Sequence, residues 1–116
     1  MTWRVTDRAT FEAFRRTGKR ARYGPISVIF VDDGGDRARV AYAVGRRMGG
    51  AVERNRLRRR LRSAVSVIED GAGLFPGAYL VAPGRETSKL GYEELVSTVH
   101  RAIRRAHGED AADLEL

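Results

Sequence analysis

The stretch from Arg46 to Arg62 reads RRMGGAVERNRLRRRLR, and the rest of the chain is arranged around it. It holds eight arginines and a single acid, Glu53. The whole chain has a net charge of +7, so the residues outside this stretch carry no net charge. A protein that needs charge only for solubility spreads it over its surface, whereas here the positive charge is concentrated on one element. This concentration predicts a surface for a polyanion, with nucleic acid as the first candidate.

The apolar residues from about Ala51 to Ile68 recur with the spacing of a helix. One apolar stripe of that helix consists of Leu57, Leu61, Ala64, Val65 and Ile68. At about 100° per residue, the polar residues that fall on roughly the opposite side are Asn55, Arg58, Arg59, Arg62 and Ser66. A solvated surface face is the plain interpretation of such a pattern. Closely spaced like charges repel each other, however, and no acids interleave four residues away, so the pattern favours a polyanionic partner.

The residues before this helix predict a short helix and the first strands. Thr6 or Asp7 caps a helix that runs to about Thr17. A short strand is predicted near Lys19–Tyr23, followed by a turn and the β-branched strand Ile26–Val31.

The Asp- and Gly-rich segment Asp32–Asp36 predicts a hairpin loop. It would join Ile26–Val31 to an antiparallel return strand, Arg37–Val44. On the return strand one face is formed by Val40, Tyr42 and Val44, and the other by Arg39, Ala41 and Ala43.

The residues after the central helix predict one buried strand, Ala78–Ala82, and a last helix, Tyr92–His107. The predicted order is α-β-β-β-α-β-α, an α+β domain with helices packed on a small mixed sheet. The return strand and Ala78–Ala82 could then be parallel neighbours joined by the central helix. We expect a single domain over residues 1–108, followed by an acidic tail at 109–116.

Composition argues against several classes of function. The chain has no cysteine, which excludes disulfides and thiolate metal sites and agrees with a cytoplasmic protein. Its beginning has no apolar segment of the signal-peptide type, and no apolar run is long enough to span a bilayer. His100 and His107 are the only histidines and lack ligand spacing, and a turn explains the aspartates of 32–36. We therefore predict no catalytic residue and no metal ligand in the chain itself.

Four aromatic residues, Phe11, Phe14, Phe30 and Tyr42, allow two interpretations. Their periodicity favours ordinary core positions. The alternative is an apolar platform beside the arginines, on which unstacked bases could lie.

The segment Arg37–Arg62 resembles the signature of the protein component of bacterial ribonuclease P. That family has a strand running into a basic pair, then Gly, Ala-Val and Arg-Asn-Arg with further bases, and all of these occur here. Phe11–Arg20 is similar to the family's opening helix. Tyr79–Arg85 and Leu90–Leu95 are similar to its last strand and the start of its last helix.

The resemblance implies a helper of a catalytic RNA. The holoenzyme removes the 5′ leader from precursor tRNA by magnesium-dependent hydrolysis, with Mg²⁺ bound mainly by the RNA subunit. The protein would contact both the RNA subunit and the leader. The fold would resemble that of a ribosomal protein domain, with a left-handed crossover, against the usual right-handed rule.

Carried over by position, the residues that would contact RNA are Arg46, Arg47, Arg54, Asn55, Arg56, Arg58, Arg59 and Arg62. The residues that would line the leader-binding cleft are Phe11, Phe14 and Phe30, where Phe30 replaces a frequent Tyr. The alternative function is that of a structural RNA-binding protein of ribosomal type, without a role in cleavage.

Overall fold

The computed structural model describes residues 2–108, which form a five-stranded mixed sheet with helices on both faces. The strands are β1 (Trp3–Arg4), β2 (Lys19–Tyr23), β3 (Ile26–Val31), β4 (Ala38–Tyr42) and β5 (Gly77–Pro83). The helices are α1 (Arg8–Arg16), α2 (Ala51–Asp70) and α3 (Tyr92–Ala106), with short 3₁₀ helices at Arg46–Met48 and Arg85–Lys89. The predicted acidic tail, 109–116, lies outside the described residues.

The sheet has the strand order β1-β4-β5-β3-β2. β4 runs parallel to β5, where Val40 pairs with Tyr79, and β1 runs parallel to β4. β3 is antiparallel to both β5 and β2. Helix α2 is therefore the crossover between two parallel neighbours, as the sequence predicts. The left-handed sense of that crossover stays a prediction.

The predicted hairpin between β3 and β4 is wrong, because β5 lies between these two strands. The aspartates that suggested it serve a local turn instead: the carboxylates of Asp32 and Asp33 accept hydrogen bonds from the N–H groups of Gly34 and Gly35, at 3.0 and 2.9 Å. The hairpin in the sheet joins β2 to β3, through a turn in which Gly24 has a φ of 56°. The two-residue strand β1 was not predicted either, since it is too short to show a pattern.

Helices α2 and α3 cover one face of the sheet and form the larger core with it. Leu61 and Val65 of α2 and Leu95 of α3 are fully buried there. Burying such a side chain contributes about 1.5–3 kcal/mol, so the apolar stripe of α2 fixes which side of that helix faces outward.

The other face of the sheet is covered only in part, by α1. This helix has nine residues, and its buried Phe14 packs with Ile29 and Val31 of β3. Asp7 caps it, because its carboxylate accepts a hydrogen bond from the N–H of Thr10 at 3.0 Å. Beyond α1, the end of this face formed by β2 and the start of β3 stays open as a groove.

Candidate nucleic-acid interface

The outward side of α2 carries an arginine ridge, which we define as Asn55, Arg58, Arg59 and Arg62. These four residues and the exposed Val52 line a shallow groove of about 640 Å³. The sequence predicted this grouping, because the four residues lie opposite the apolar stripe. None of them forms an ion pair with an acid within residues 2–108. The positive charge is therefore presented outward and is not neutralised by the fold.

Arg58 is the most constrained member of the arginine ridge. One guanidinium nitrogen donates to the carbonyl oxygen of Val44 at 3.3 Å, and another donates to Oδ1 of Asn55 at 3.0 Å. These bonds hold Arg58 at the junction of β4 and α2. Arg59 and Arg62 remain exposed.

The arginine ridge continues to the edge of the sheet through Arg62, whose guanidinium lies 5.9 Å from the centre of the Tyr42 ring. Burial raises the pKa of Tyr42 to about 12, so its hydroxyl stays neutral and can donate a hydrogen bond. A pocket at this edge of the sheet is lined by Arg62, Tyr42 and Arg4. Close by on β1, Trp3 is half exposed and stacks against the guanidinium of Arg37 at 4.3 Å.

Two of the predicted RNA-binding residues, Arg47 and Arg56, do not lie on the arginine ridge. They line a separate cavity of about 610 Å³ on the other flank of α2, together with Arg60 and Arg85. The sequence interpretation missed Arg60, although its position on the helix places it near Arg56. No local sequence pattern pointed to Arg85, because it lies in the connection between β5 and α3.

Arg46 and Arg54 complete the predicted RNA-binding set. Arg46 is exposed at the start of the 3₁₀ helix that precedes α2. Arg54 is half-buried in the first turns of α2, and within the described part of the chain its buried Nε atom has no hydrogen-bond partner. Both therefore lie close to the N-terminus of α2.

The three predicted cleft phenylalanines do not line one surface. Phe14 is only 2% exposed in the core under α1, and Phe11 lies beside it, 39% exposed, with ring centres 6.0 Å apart. Phe30 points to the opposite face of the sheet, where its ring lies 4.2 Å from that of His107 and 5.0 Å from that of Tyr79. The reason is the alternation of β3, in which Ile29 and Val31 face α1 while Phe30 faces α3.

The open groove on the α1 face lies instead between β2 and the neighbouring strands. Its volume is about 440 Å³, and its lining includes Arg20 and Arg22 of β2, Ser27 and Ile29 of β3, and Ala82 of β5. Small side chains on the floor allow a ligand backbone to approach the sheet closely. The two arginines are exposed at its rim.

A polar network fixes α1 against this sheet face. Arg39 of β4 donates to Asp7 at 2.9 Å, to the hydroxyl of Thr10 at 3.0 Å and to Asp33 at 2.8 Å. Hydrogen bonds from the Thr10 hydroxyl and then from Arg39 lower the pKa of Asp7 to about 2. Burial acts to raise the pKa of Asp33, but its bonds to Arg39 and Gly35 outweigh burial and leave it below the ordinary value.

His107, at the end of α3, takes part in a hydrogen-bonded group with Tyr79 of β5. The hydroxyl of Tyr79 donates to the carbonyl oxygen of Phe75 at 2.7 Å, and Nε2 of His107 lies 2.8 Å from the oxygen of that hydroxyl. Between Thr2 and Gly108, no group of three or more His, Asp or Glu side chains is placed to hold a metal ion. Over the same residues, none of the helices combines the length and hydropathy needed to cross a membrane.

Comparison with known proteins gives a consistent result. Residues 1–107 match the family described as Ribonuclease P. A ribonuclease P protein component from Streptococcus pyogenes is 28% identical over 105 residues, covering 90% of this chain and 87% of the relative.

Two solved structures show the same fold. An RNase P protein from Staphylococcus aureus, a mutant with defective mRNA degradation activity, superposes with a TM-score of 0.80 at 17% identity, covering 90% of this chain and 88% of that one. The RNase P protein from Thermotoga maritima superposes with a TM-score of 0.74 at 23% identity, covering 88% and 96% of the two chains.

Proposed function

The chain belongs to the ribonuclease P protein family, and from this premise we propose that its arginine ridge binds the RNA subunit while the groove on the α1 face receives the 5′ leader of precursor tRNA. As a protein component of ribonuclease P, it is a subunit of a holoenzyme whose chemistry is carried by RNA. A structural protein of ribosomal type is not favoured, since the relatives are ribonuclease P components.

The observation that carries the proposal is the outward, unneutralised charge of the arginine ridge. Arg59 and Arg62 are exposed, and no acid of residues 2–108 pairs with them. Guanidinium groups bind phosphate oxygens through two parallel N–H donors. Arg58, held by Val44 and Asn55, gives the ridge a fixed orientation before RNA arrives.

The groove on the α1 face suits a single strand better than a duplex. Its floor contains Ser27 and Ala82, over which an extended backbone can pass. Arg20 and Arg22 at the rim supply charge for the phosphates. The exposed Phe11 on the same side of the sheet offers a surface on which a base can stack.

Within residues 2–108, the structure brings together no group of three or more His, Asp or Glu side chains that could hold a magnesium ion. In the loop 32–36, Asp33 accepts a hydrogen bond from Arg39 and Asp32 accepts one from the N–H of Gly34, so both carboxylates already have other partners. We propose that the Mg²⁺ of the reaction is held by the RNA partner. The residues of this chain bind and orient RNA, and the subunit would act in the cytoplasm with that RNA.

The first test is reconstitution. The purified protein should cut no precursor tRNA alone, and its addition to the RNA subunit should lower the magnesium concentration needed for cleavage. Cleavage by the RNA-free protein would contradict the proposal.

The leader site has a sharper test. Replacing Arg20 and Arg22 together by Gln should weaken holoenzyme binding of precursor tRNA while leaving binding of mature tRNA, which lacks the leader, unchanged. Arg8→Gln with Arg16→Gln provides a control with the same loss of charge, because both residues are exposed on α1 and neither lines the groove, although Arg8 also loses its ion pair with Glu12. Equal weakening for both tRNA forms would place the leader elsewhere.

A further inference from the structure

The cavity on the second flank of α2 lies between the 3₁₀ helix Arg46–Met48, α2 and the connection from β5 to α3. We propose that it binds one unpaired nucleotide of RNA, with the phosphate on its arginines and the base on its apolar floor. The inference rests on the proposed function, but it concerns a site distinct from the arginine ridge.

The charge of the cavity points to an anionic group. Four arginines, 47, 56, 60 and 85, line it against one acid, Glu53, which packs on Gly49 and Gly50. Within residues 2–108 none of the four arginines forms an ion pair. Arg60 is fixed, since one of its nitrogens donates to the carbonyl oxygen of Leu90 at 2.6 Å. Its remaining N–H groups stay available for a phosphate.

The apolar floor of the cavity indicates a ligand that carries an apolar group as well as a negative charge. It is formed by Leu57, which is 6% exposed, and by the half-buried Met48 and Leu90. Inorganic phosphate gains nothing from apolar surface, whereas the flat face of a base is stabilised when it is buried against aliphatic side chains. A volume of about 610 Å³ is ample for one nucleotide.

The position of the cavity separates it from the ridge. On α2, Arg56 and Arg60 lie on one side of the apolar stripe, and Arg58 and Arg62 lie on the other. A strand that follows the arginine ridge therefore does not fill the cavity. The occupant is a base turned out of its strand or a nucleotide of a second RNA segment.

The test is an NMR titration of the full chain with adenosine 5′-monophosphate, inorganic phosphate and adenosine. The nucleotide should shift the backbone amides of Met48, Ser88 and Leu90. It should bind at least about fivefold more tightly than phosphate alone, which corresponds to burying roughly 40 Å² of apolar surface between the base and the cavity floor. Equal binding of nucleotide and phosphate, or shifts confined to the arginine ridge, would overturn the inference.

Matched variants separate this inference from the proposed function. Arg56→Gln with Arg85→Gln should abolish the nucleotide-induced shifts, while Arg59→Gln with Arg62→Gln should preserve them. Both double variants replace exposed arginines, and each removes two positive charges. If only the second pair weakened binding to the RNA subunit, the ridge would keep its proposed role and the nucleotide site would fail.

Discussion

The replacement of Arg59 and Arg62 by Gln should flatten the salt dependence of binding to the RNA subunit by a calculable amount. Each side chain is exposed and lacks an acidic partner within residues 2–108, so each can offer one full phosphate contact. Every lost contact lowers the slope of log K against log salt by about 0.7–0.9, hence by about 1.4–1.8 for the pair. A threefold rise in salt should therefore weaken the wild type about five- to sevenfold more than the variant. Arg58 would contribute less, because its guanidinium already donates to Val44 and Asn55.

The assay is filter binding or anisotropy with the RNA subunit alone, without precursor tRNA, at several salt concentrations. The matched control is Arg8→Gln with Arg16→Gln, which removes the same charge from α1, across the sheet from the ridge. A general effect of net charge would change both slopes alike. Equal slopes for the ridge variant and the wild type would refute the assignment of the ridge as the RNA footprint.

Three further predictions concern the fold that presents these surfaces. Tyr79→Phe should destabilise the protein by about 1–2 kcal/mol in urea unfolding, because the carbonyl oxygen of Phe75 loses its buried donor; an unchanged midpoint would contradict this. Gly77→Ala should destabilise by about 1–3 kcal/mol, since Gly77 has a φ of 136° and an added Cβ would lie 2.5 Å from the ring of Phe30; a fully stable variant would show that the strand can shift. Asp7→Asn should reduce stability most at neutral pH: the folded pKa of Asp7 is lowered to about 2, so its contribution is present above pH about 4 and disappears as pH falls towards 2. Unfolding curves across this range should converge at low pH, and a constant gap would exclude the carboxylate as the cause.

The elements that the sequence predicted well are those with a repeating pattern. Helix α2 extends only two residues beyond the predicted Ile68, and strand β3 has the predicted bounds. In α2 the apolar spacing identifies the buried residues, whereas β3 is marked by its β-branched run. The arginine ridge follows directly, because fixing the apolar stripe of a helix also fixes its opposite side.

Strand order was the point at which local reasoning failed. The Asp32–Asp36 segment has the composition of a hairpin loop. Its backbone N–H groups, however, donate hydrogen bonds to its own aspartate side chains, and these bonds can form whichever strand lies next to β3. β5 comes almost 50 residues after β3 in the chain, and no local signal shows that it inserts between β3 and β4. Pairing between distant strands depends on the whole core.

The candidate site was likewise predictable only where its residues lie on one element. Positions on α2 could be grouped by angle, whereas the meeting of Arg56 and Arg60 with Arg85 depends on where the β5–α3 connection packs. Phe30 was grouped with Phe11 and Phe14 by resemblance, although the alternation of β3 already separates its face from that of Ile29. Strand alternation was thus an available signal that Phe30 faces away from Phe11 and Phe14.

The N-terminal end of α2 has few buried side chains and a high density of positive charge. Gly50 provides no side-chain cap, Val52 is 72% exposed, and the first deeply buried anchor of the helix is Leu57. The positive end of the helix dipole lies at this terminus, so the arginines from 46 to 56 add to a field that already repels them. Binding a phosphate at this end would offset both sources of repulsion at once. The first turns of α2 should therefore gain more order from RNA than its buried C-terminal half, and amide hydrogen exchange with and without the RNA subunit would measure that difference.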